Sequence, residues 1–416
     1  MSSLIRLRLL PRARCFFDEP VQVKVAGLRS RQAVTMRARS TDERGVVFSS
    51  SATYRADDGG EVDLNRHPSL GGSYVGVEPM GLLWSLRAEA LHQYFEKGNA
   101  LEPHVVTISV HEEEGRVLAE AANERVLLGD GVTRLPVNEG NINGVLFTPP
   151  GPGPFPAVLD LNTITSEKRA ALLANKGFVV LALGIFNVKA TKKVTEIHLD
   201  HFRDGIDFLQ RQPKVGSKGV GVISRSKSAE IALSLSVFVP DVKACVWING
   251  YSANSFFPLY YKNKQILSSL MFDHSKVIHT ESGGSILKYA FTNPRAEENK
   301  GSLIPVEQAK TQFLFVASED DLCWDSKTSM DEMIERLKRQ GKDNFESVYY
   351  PGAGHILEPP YGPFCMSSPH LAFTYRALWG GEPRAHAAAE VHLWKKTQEF
   401  FRAHLSCEDP DGIQIG

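Results

Sequence analysis

The chain has 416 residues, enough for two domains on the usual prior of roughly 100–200 residues each. It is 42% hydrophobic and 23% charged, and its formal net charge of −1 supplies no global basic field for nucleic acid or an anionic membrane. No apolar run approaches the roughly 18 residues of a membrane helix. The five cysteines are scattered, with neither a disulfide framework nor C-x-x-C metal spacing, which favours a reducing compartment.

The N-terminus, Met1-Ser-Ser-Leu-Ile-Arg-Leu-Arg-Leu-Leu-Pro-Arg-Ala-Arg14, has four arginines and no acid before Asp18, the bias of a short mitochondrial presequence. It runs directly into the first domain, however, and reads as a first strand with a basic flank. The C-terminal Gly412-Ile-Gln-Ile-Gly416 is not a Ser-Lys-Leu peroxisomal address. Cytoplasm is the expected location, with the mitochondrion as the alternative.

Residues 15 to about 137 read as all-β. Val21-Gln-Val-Lys-Val-Ala-Gly27, Ala33-Val-Thr-Met-Arg-Ala-Arg39 and Val105-Val-Thr-Ile-Ser-Val110 alternate in polarity. Turn clusters at Asp42-Glu-Arg-Gly45, Asp57-Asp-Gly-Gly60 and Gly129-Asp-Gly131 separate them, a spacing that predicts a β-sandwich. The apolar insert Glu78-Pro-Met-Gly-Leu-Leu-Trp84 is expected to close the sandwich or to make an interdomain contact. The boundary is expected near 135–140, giving a sandwich domain over 1–137 and a second domain over 138–416.

From the strand at 144–147 onward, strands and helices alternate. A proline-rich loop, Pro149–Pro156, leads into the buried run Ala157–Leu161. Further strands are predicted at 178–183, 219–223, 244–248, 312–317 and 346–350. Helices are predicted to end near Gly177 and to span about 199–210, 229–238, 326–340 and 384–404. Such alternation implies a mainly parallel sheet with helices on both faces, and ligands then sit at the carboxyl ends of the strands.

At the end of the strand Gly219–Ile223 there is no loop, only Ser224-Arg-Ser-Lys-Ser228 before the helix. A strand turning at once into a helix with serine at the corner is the layout of a nucleophile elbow, with Ser226 at the corner. The helix N-terminus behind it offers free N–H groups to an oxyanion. The usual pattern is G-x-S-x-G, and serines 224 and 228 replace both glycines. Three serines also suit an ordinary helix cap.

Two partners for Ser226 follow at strand ends. Asp320 and Asp321 lie past the strand 312–317, and His355 lies in Pro351-Gly-Ala-Gly-His-Ile356 past the strand 346–350. The order Ser, Asp, His is that of α/β-hydrolases. In that chemistry the imidazole takes the serine proton and a carboxylate orients the ring. Glycines 352 and 354 are expected to make the histidine loop flexible, and His386 and His392 in the last helix are read as structural or solvated.

The chain resembles the acyl-CoA thioesterase / bile acid-CoA:amino acid N-acyltransferase family along nearly its whole length. The resemblance rests on Leu70-Gly-Gly-Ser-Tyr-Val-Gly-Val-Glu-Pro-Met-Gly-Leu-Leu-Trp84, Gly219-Val-Gly-Val222, Asp320-Asp-Leu-Cys-Trp324 and Tyr350-Pro-Gly-Ala-Gly-His-Ile-Leu-Glu-Pro-Pro-Tyr361. Trp379-Gly-Gly-Glu-Pro-Arg-Ala-His-Ala387 adds a family-specific stretch. It implies a β-sandwich followed by an α/β-hydrolase domain, with Ser226 as nucleophile, Asp321 as acid and His355 as base. It also implies a fatty acyl-CoA substrate, and no metal or bound cofactor is called for. Family members with cysteine at the elbow transfer the acyl group to an amino acid, and those with serine hydrolyse the thioester, so Ser226 points to hydrolysis.

This chain departs from the family pattern at the elbow glycines and in the loop after Leu161. There Asn162-Thr-Ile-Thr-Ser-Glu-Lys-Arg169 replaces a glycine-rich segment that supplies an oxyanion donor. The Lys227 N–H is the remaining donor, and loss of the other costs about 3–4 kcal/mol of transition-state stabilisation. Lys189, Lys192 and Lys193 are read as a solvated run that could also meet CoA phosphates, and residues 250–305 as a contributor to the acyl pocket. The rivals are an acyl-CoA:amino acid N-acyltransferase and a catalytically silent acyl-CoA binding protein.

Overall fold

A computed structural model describes residues 4–187 and 192–407; Lys189 and the C-terminal pentapeptide lie outside the described residues. The alternating N-terminal runs form strands with one apolar face, because successive side chains point to opposite sides. Arg6–Leu10 pairs antiparallel with Gln22–Ala26 in a three-stranded sheet, so the basic N-terminal run is a strand. A seven-stranded sheet runs through Arg14–Phe16, Val117–Val126, His104–His111, Ala33–Thr41 and Val47–Arg55. The two sheets share a core that includes Val23, Val25, Met36, Phe48, Tyr54 and Ile108, which is the expected sandwich. The helix Gly81–Trp84 is buried in that core, and Glu78 just before it pairs with Arg384 at 2.6 Å. The insert therefore both closes the sandwich and meets the second domain.

The second domain is built on an eight-stranded sheet. Its strands are β1 (Thr133–Glu139), β2 (Ile142–Thr148), β3 (Phe155–Asn162), β4 (Val179–Gly184), β5 (Val215–Arg225), β6 (Val242–Ile248), β7 (Gln312–Ser318) and β8 (Phe345–Tyr350). They lie in the order β1-β2-β4-β3-β5-β6-β7-β8. β1 and β2 run antiparallel to their neighbours, and the pairs from β4 to β8 are parallel. Among the described residues five helices cover the sheet: α1 (Lys168–Ala174), α2 (Asp200–Gln210), α3 (Lys227–Phe238), α4 (Ser326–Arg339) and α5 (Pro383–His404). One core packs α2, α3 and α4 against one face, and a second packs α1 and α5 against the other. This is the architecture of an α/β-hydrolase.

The expected division at 137/138 falls inside β1, which is paired with β2 from Thr133 to Glu139. A division in the turn 129–132 keeps that strand whole. β1 is an edge strand, mostly exposed and carrying Pro136, so its sequence lacks the apolar run of the inner strands. Residues 250–305 contain short strands, among them Leu259–Tyr261 and Lys264–Leu267. Helix α5 spans the domain boundary. Ala387 joins the sandwich core, and Trp394 Nε1 donates to Asp18 Oδ2 at 2.8 Å.

Candidate active site

β5 ends at Arg225 and α3 begins at Lys227, leaving Ser226 alone at the corner. Its φ of 61° and ψ of −130° form a conformation that persists only when the surroundings enforce it. Ser226 N donates to Ile248 O at 3.0 Å, and Ser226 O accepts from Ala229 N at 2.9 Å. The serines that replace the elbow glycines are buried and bonded. Ser224 Oγ donates to Val246 O on β6 at 2.9 Å. Ser228 Oγ accepts from Arg225 N at 2.9 Å and lies 2.7 Å from Arg225 O and 3.0 Å from Leu161 O, with one proton to share between them. The hydroxyls therefore take up the space that a glycine leaves, each with a backbone partner.

The structure brings the three sequence-predicted residues into one hydrogen-bonded line. His355 Nε2 is 3.0 Å from Ser226 Oγ, and His355 Nδ1 is 2.7 Å from Asp321 Oδ2. Asp321 and His355 are each 2% exposed. Asp321 Oδ1 accepts from Cys323 N and Trp324 N at 2.9 Å, and Oδ2 also accepts from Ser326 Oγ at 3.1 Å. A carboxylate so placed holds the ring proton on Nδ1, which leaves Nε2 free to accept from the serine hydroxyl. Asp320 faces elsewhere and accepts from Gly381 N at 2.8 Å.

The histidine loop is clamped rather than flexible. Asn249, at φ 46° just past β6, donates through Nδ2 to His355 O at 2.9 Å and accepts from Ser318 N at 2.7 Å. His386 accepts from Gly354 N at 3.0 Å and donates to Ile356 O at 2.8 Å, so it is structural. Gly354 serves close approach, since a Cβ there would sit 2.2 Å from Gly380 O. Sequence reasoning missed Asn249; the only signal was an Asn-Gly pair at a strand end.

The segment 250–305 supplies an aromatic layer that continues to the imidazole. Phe291 lies 4.9 Å from Trp324, and Trp324 and Trp379 stack near-parallel to His355 at 6.4 and 5.5 Å. His370 stacks on Trp379 at 5.8 Å, and burial first, then the neighbouring His355, pushes its pKa down to about 4. It therefore stays neutral beside the site near pH 7. The Lys227 N–H lies in the first turn of α3, where helix geometry leaves it without an intrahelical acceptor. The loop after β3 is held by a buried Arg169–Asp160 pair at 2.6 Å. Lys192 and Lys193 are exposed. Among the described residues no group of His, Cys, Asp or Glu is placed to hold a metal ion, and no helix is long and apolar enough to cross a membrane. A cavity of about 1090 Å³ on the outer face of the sandwich, lined by Arg37, Arg39, Ser49, Ser51 and Ser109 among others, contains none of the three residues.

Residues 18–139 match the family profile described as acyl-CoA thioester hydrolase/BAAT N-terminal region, and residues 197–407 match BAAT / acyl-CoA thioester hydrolase C terminal. Human acyl-coenzyme A thioesterase 1 is 40% identical over 407 residues, covering 96% of this chain and 96% of that protein. Human acyl-coenzyme A thioesterase 2, mitochondrial, is 40% identical over 96% of this chain and 84% of that protein. Mouse acyl-coenzyme A thioesterase 5 is 41% identical over 96% of each. Among solved structures, a dienelactone hydrolase-like promiscuous phosphotriesterase from metagenomic libraries superposes with a TM-score of 0.42 at 14% identity, covering 66% of this chain and 99% of that one. With both halves matched and relatives aligned nearly end to end, the chain belongs to the acyl-CoA thioester hydrolase/BAAT family.

Proposed function

We propose that this chain is an acyl-CoA thioesterase that hydrolyses fatty acyl-CoA to fatty acid and CoA, with Ser226 as nucleophile, His355 as general base and acid, and Asp321 as the carboxylate that orients the imidazole. The observation that carries the reading is the hydrogen-bonded line from Ser226 Oγ through His355 to Asp321. His355 Nε2 takes the serine proton as Oγ attacks the thioester carbonyl, and the tetrahedral oxyanion is received by the Lys227 N–H. Collapse expels CoA as its thiol, with the proton returned by His355. Water then attacks the acyl-serine by the same proton route and releases the acid. The aromatic layer from 250–305 is the candidate wall for the acyl chain. All five cysteines are free thiols, which suits a reducing compartment; cytoplasmic residence belongs to this reading, with the mitochondrion as the alternative.

The test is thiol release from saturated acyl-CoAs of graded chain length by the native protein and by Ser226→Ala. Chain-length-dependent release that falls more than about 10³-fold in the variant is expected. Acyl-CoA binding without Ser226-dependent release would make the chain a binding protein. Faster release with an amide product on adding glycine or taurine would make it an acyltransferase.

A further inference from the structure

Arg225 is the last residue of β5 and directly precedes Ser226. Its side chain is only 19% exposed. Nη1 donates to Leu357 O at 2.9 Å and to Glu358 Oε1 at 2.7 Å. Leu357 and Glu358 lie two and three residues past His355. One guanidinium thus joins the strand end that presents the serine to the loop that presents the histidine. Glu358 is fixed from two further directions. Lys168 Nζ at the start of α1 is 3.4 Å from its Oε2, and its own N–H donates to Glu390 Oε2 on α5 at 2.7 Å. Burial works to raise the Glu358 carboxyl, yet the charges of Arg225 and Lys168 and the Arg225 hydrogen bond hold it well below the usual carboxylate range.

We infer that Arg225 is a positioning residue that sets the separation of Ser226 Oγ and His355 Nε2 by tethering Leu357 and Glu358. The inference rests on reading Ser226 and His355 as nucleophile and base. Its physical content is distance. Proton transfer needs the pair held within hydrogen-bond reach, and a displacement near 1 Å costs on the order of 10²-fold in rate. Arg225 reaches the loop through a charged, two-acceptor contact, which neutral side chains of similar length cannot reproduce.

The experiment compares Arg225→Met, Glu358→Gln and the double variant in acyl-CoA hydrolysis and in labelling of Ser226 by a fluorophosphonate, which needs the Ser–His pair but no acyl-CoA. Each single variant is expected to lower kcat roughly 10- to 100-fold with KM within about twofold, and to slow labelling by the same factor. The double variant is expected to be no slower than the slower single, and Arg225→Lys to recover part of the loss. Native kcat and labelling in Arg225→Met, a loss confined to KM, or losses that multiply in the double variant would each overturn the inference. If Arg225→Met fails to fold, Glu358→Gln carries the same comparison alone. Slowed labelling in a protein that never releases CoA would sink the thioesterase reading and leave the tether standing. Normal labelling in Arg225→Met with Ser226-dependent CoA release would do the reverse. Absence of Ser226 labelling in the native protein would remove both.

Discussion

Lys227 Nζ lies 2.6 Å from Glu230 Oε2 one turn along α3, with both side chains buried immediately behind Ser226. The pair is also bonded outward. Lys227 donates to Ser255 O at 2.6 Å, while Glu230 accepts from Ser255 N at 3.0 Å and Ser255 Oγ at 2.7 Å. It staples the elbow helix to the start of the aromatic segment. Removing one partner leaves the other as an uncompensated buried charge. Glu230→Ala should therefore cost about 3–5 kcal/mol, read by urea denaturation. A loss under about 1 kcal/mol would mean that water reaches Lys227 and that the staple is not what holds the turn.

Asp321 tests orientation rather than charge alone. Its Oδ1 is committed to the N–H groups of Cys323 and Trp324, so an asparagine would keep its oxygen there and turn its NH2 toward His355 Nδ1. The ring proton would move to Nε2, leaving no acceptor for the serine hydroxyl. Asp321→Asn is expected to lower kcat by about 10⁴-fold with little change in KM. Steady-state kinetics showing less than a tenfold fall would exclude Asp321 as the orienting group.

His104 gives a pH prediction remote from the chemistry. It is 3% exposed, neither ring nitrogen has a hydrogen-bond partner among the described residues, and it packs on Phe95 and Phe17 at 4.7 and 5.9 Å. Burial, then the positive charges of Arg125, Lys168 and Lys97, push its pKa down to about 3. The unfolded chain titrates near the ordinary value of about 6.5. Between those values the unfolded state binds the extra proton, so this contribution is whole above about pH 6.5 and declines as pH falls toward 3. His104→Phe should flatten the stability profile between about pH 4.5 and 6.5 by up to about 1.4 kcal/mol per pH unit. At pH 8 it should cost less than about 1.5 kcal/mol. Denaturation curves with unchanged slope would show that His104 is protonated in the fold.

The two elbow serines should differ when truncated. Ser228→Ala removes a buried hydroxyl that contacts Arg225 N, Arg225 O and Leu161 O, and losing a buried partner of several backbone groups costs about 1–3 kcal/mol. Ser224→Ala removes only a donor to Val246 O, worth about 1 kcal/mol. Equal thermal midpoints for the two variants would contradict this ranking.

The inner strands were legible because parallel strands covered on both faces read as unbroken apolar runs, as in Ala157–Leu161 and Gln312–Ala317. Ser226, Asp321 and His355 could be nominated because each follows such a run. What holds them could not. Asn249, His386 and Arg225 act through backbone atoms 105, 32 and 132 positions away, and no local pattern encodes such distances. Val117–Val126, with its Ala-Glu-Ala-Ala core, has helix-former composition yet lies as a strand beside His104–His111, where tertiary pairing overrides propensity. The histidine loop misled for a related reason. Its glycines suggest freedom, but Gly354 lies where another backbone presses against it.

The bond from Trp394 to Asp18 joins residues 376 positions apart, and this has a consequence for synthesis. The sandwich has all its own strands once residue 126 has emerged, yet its contacts with Ala387, Arg384 and Trp394 come from α5, which is made after every strand of the second sheet. During translation the first domain must wait with that surface uncovered while the whole second domain is made. At an elongation rate of about 5–20 residues per second, that interval lasts many seconds. A ribosome stalled before α5 would leave that flank of the sandwich open, which makes this helix a latch between the domains.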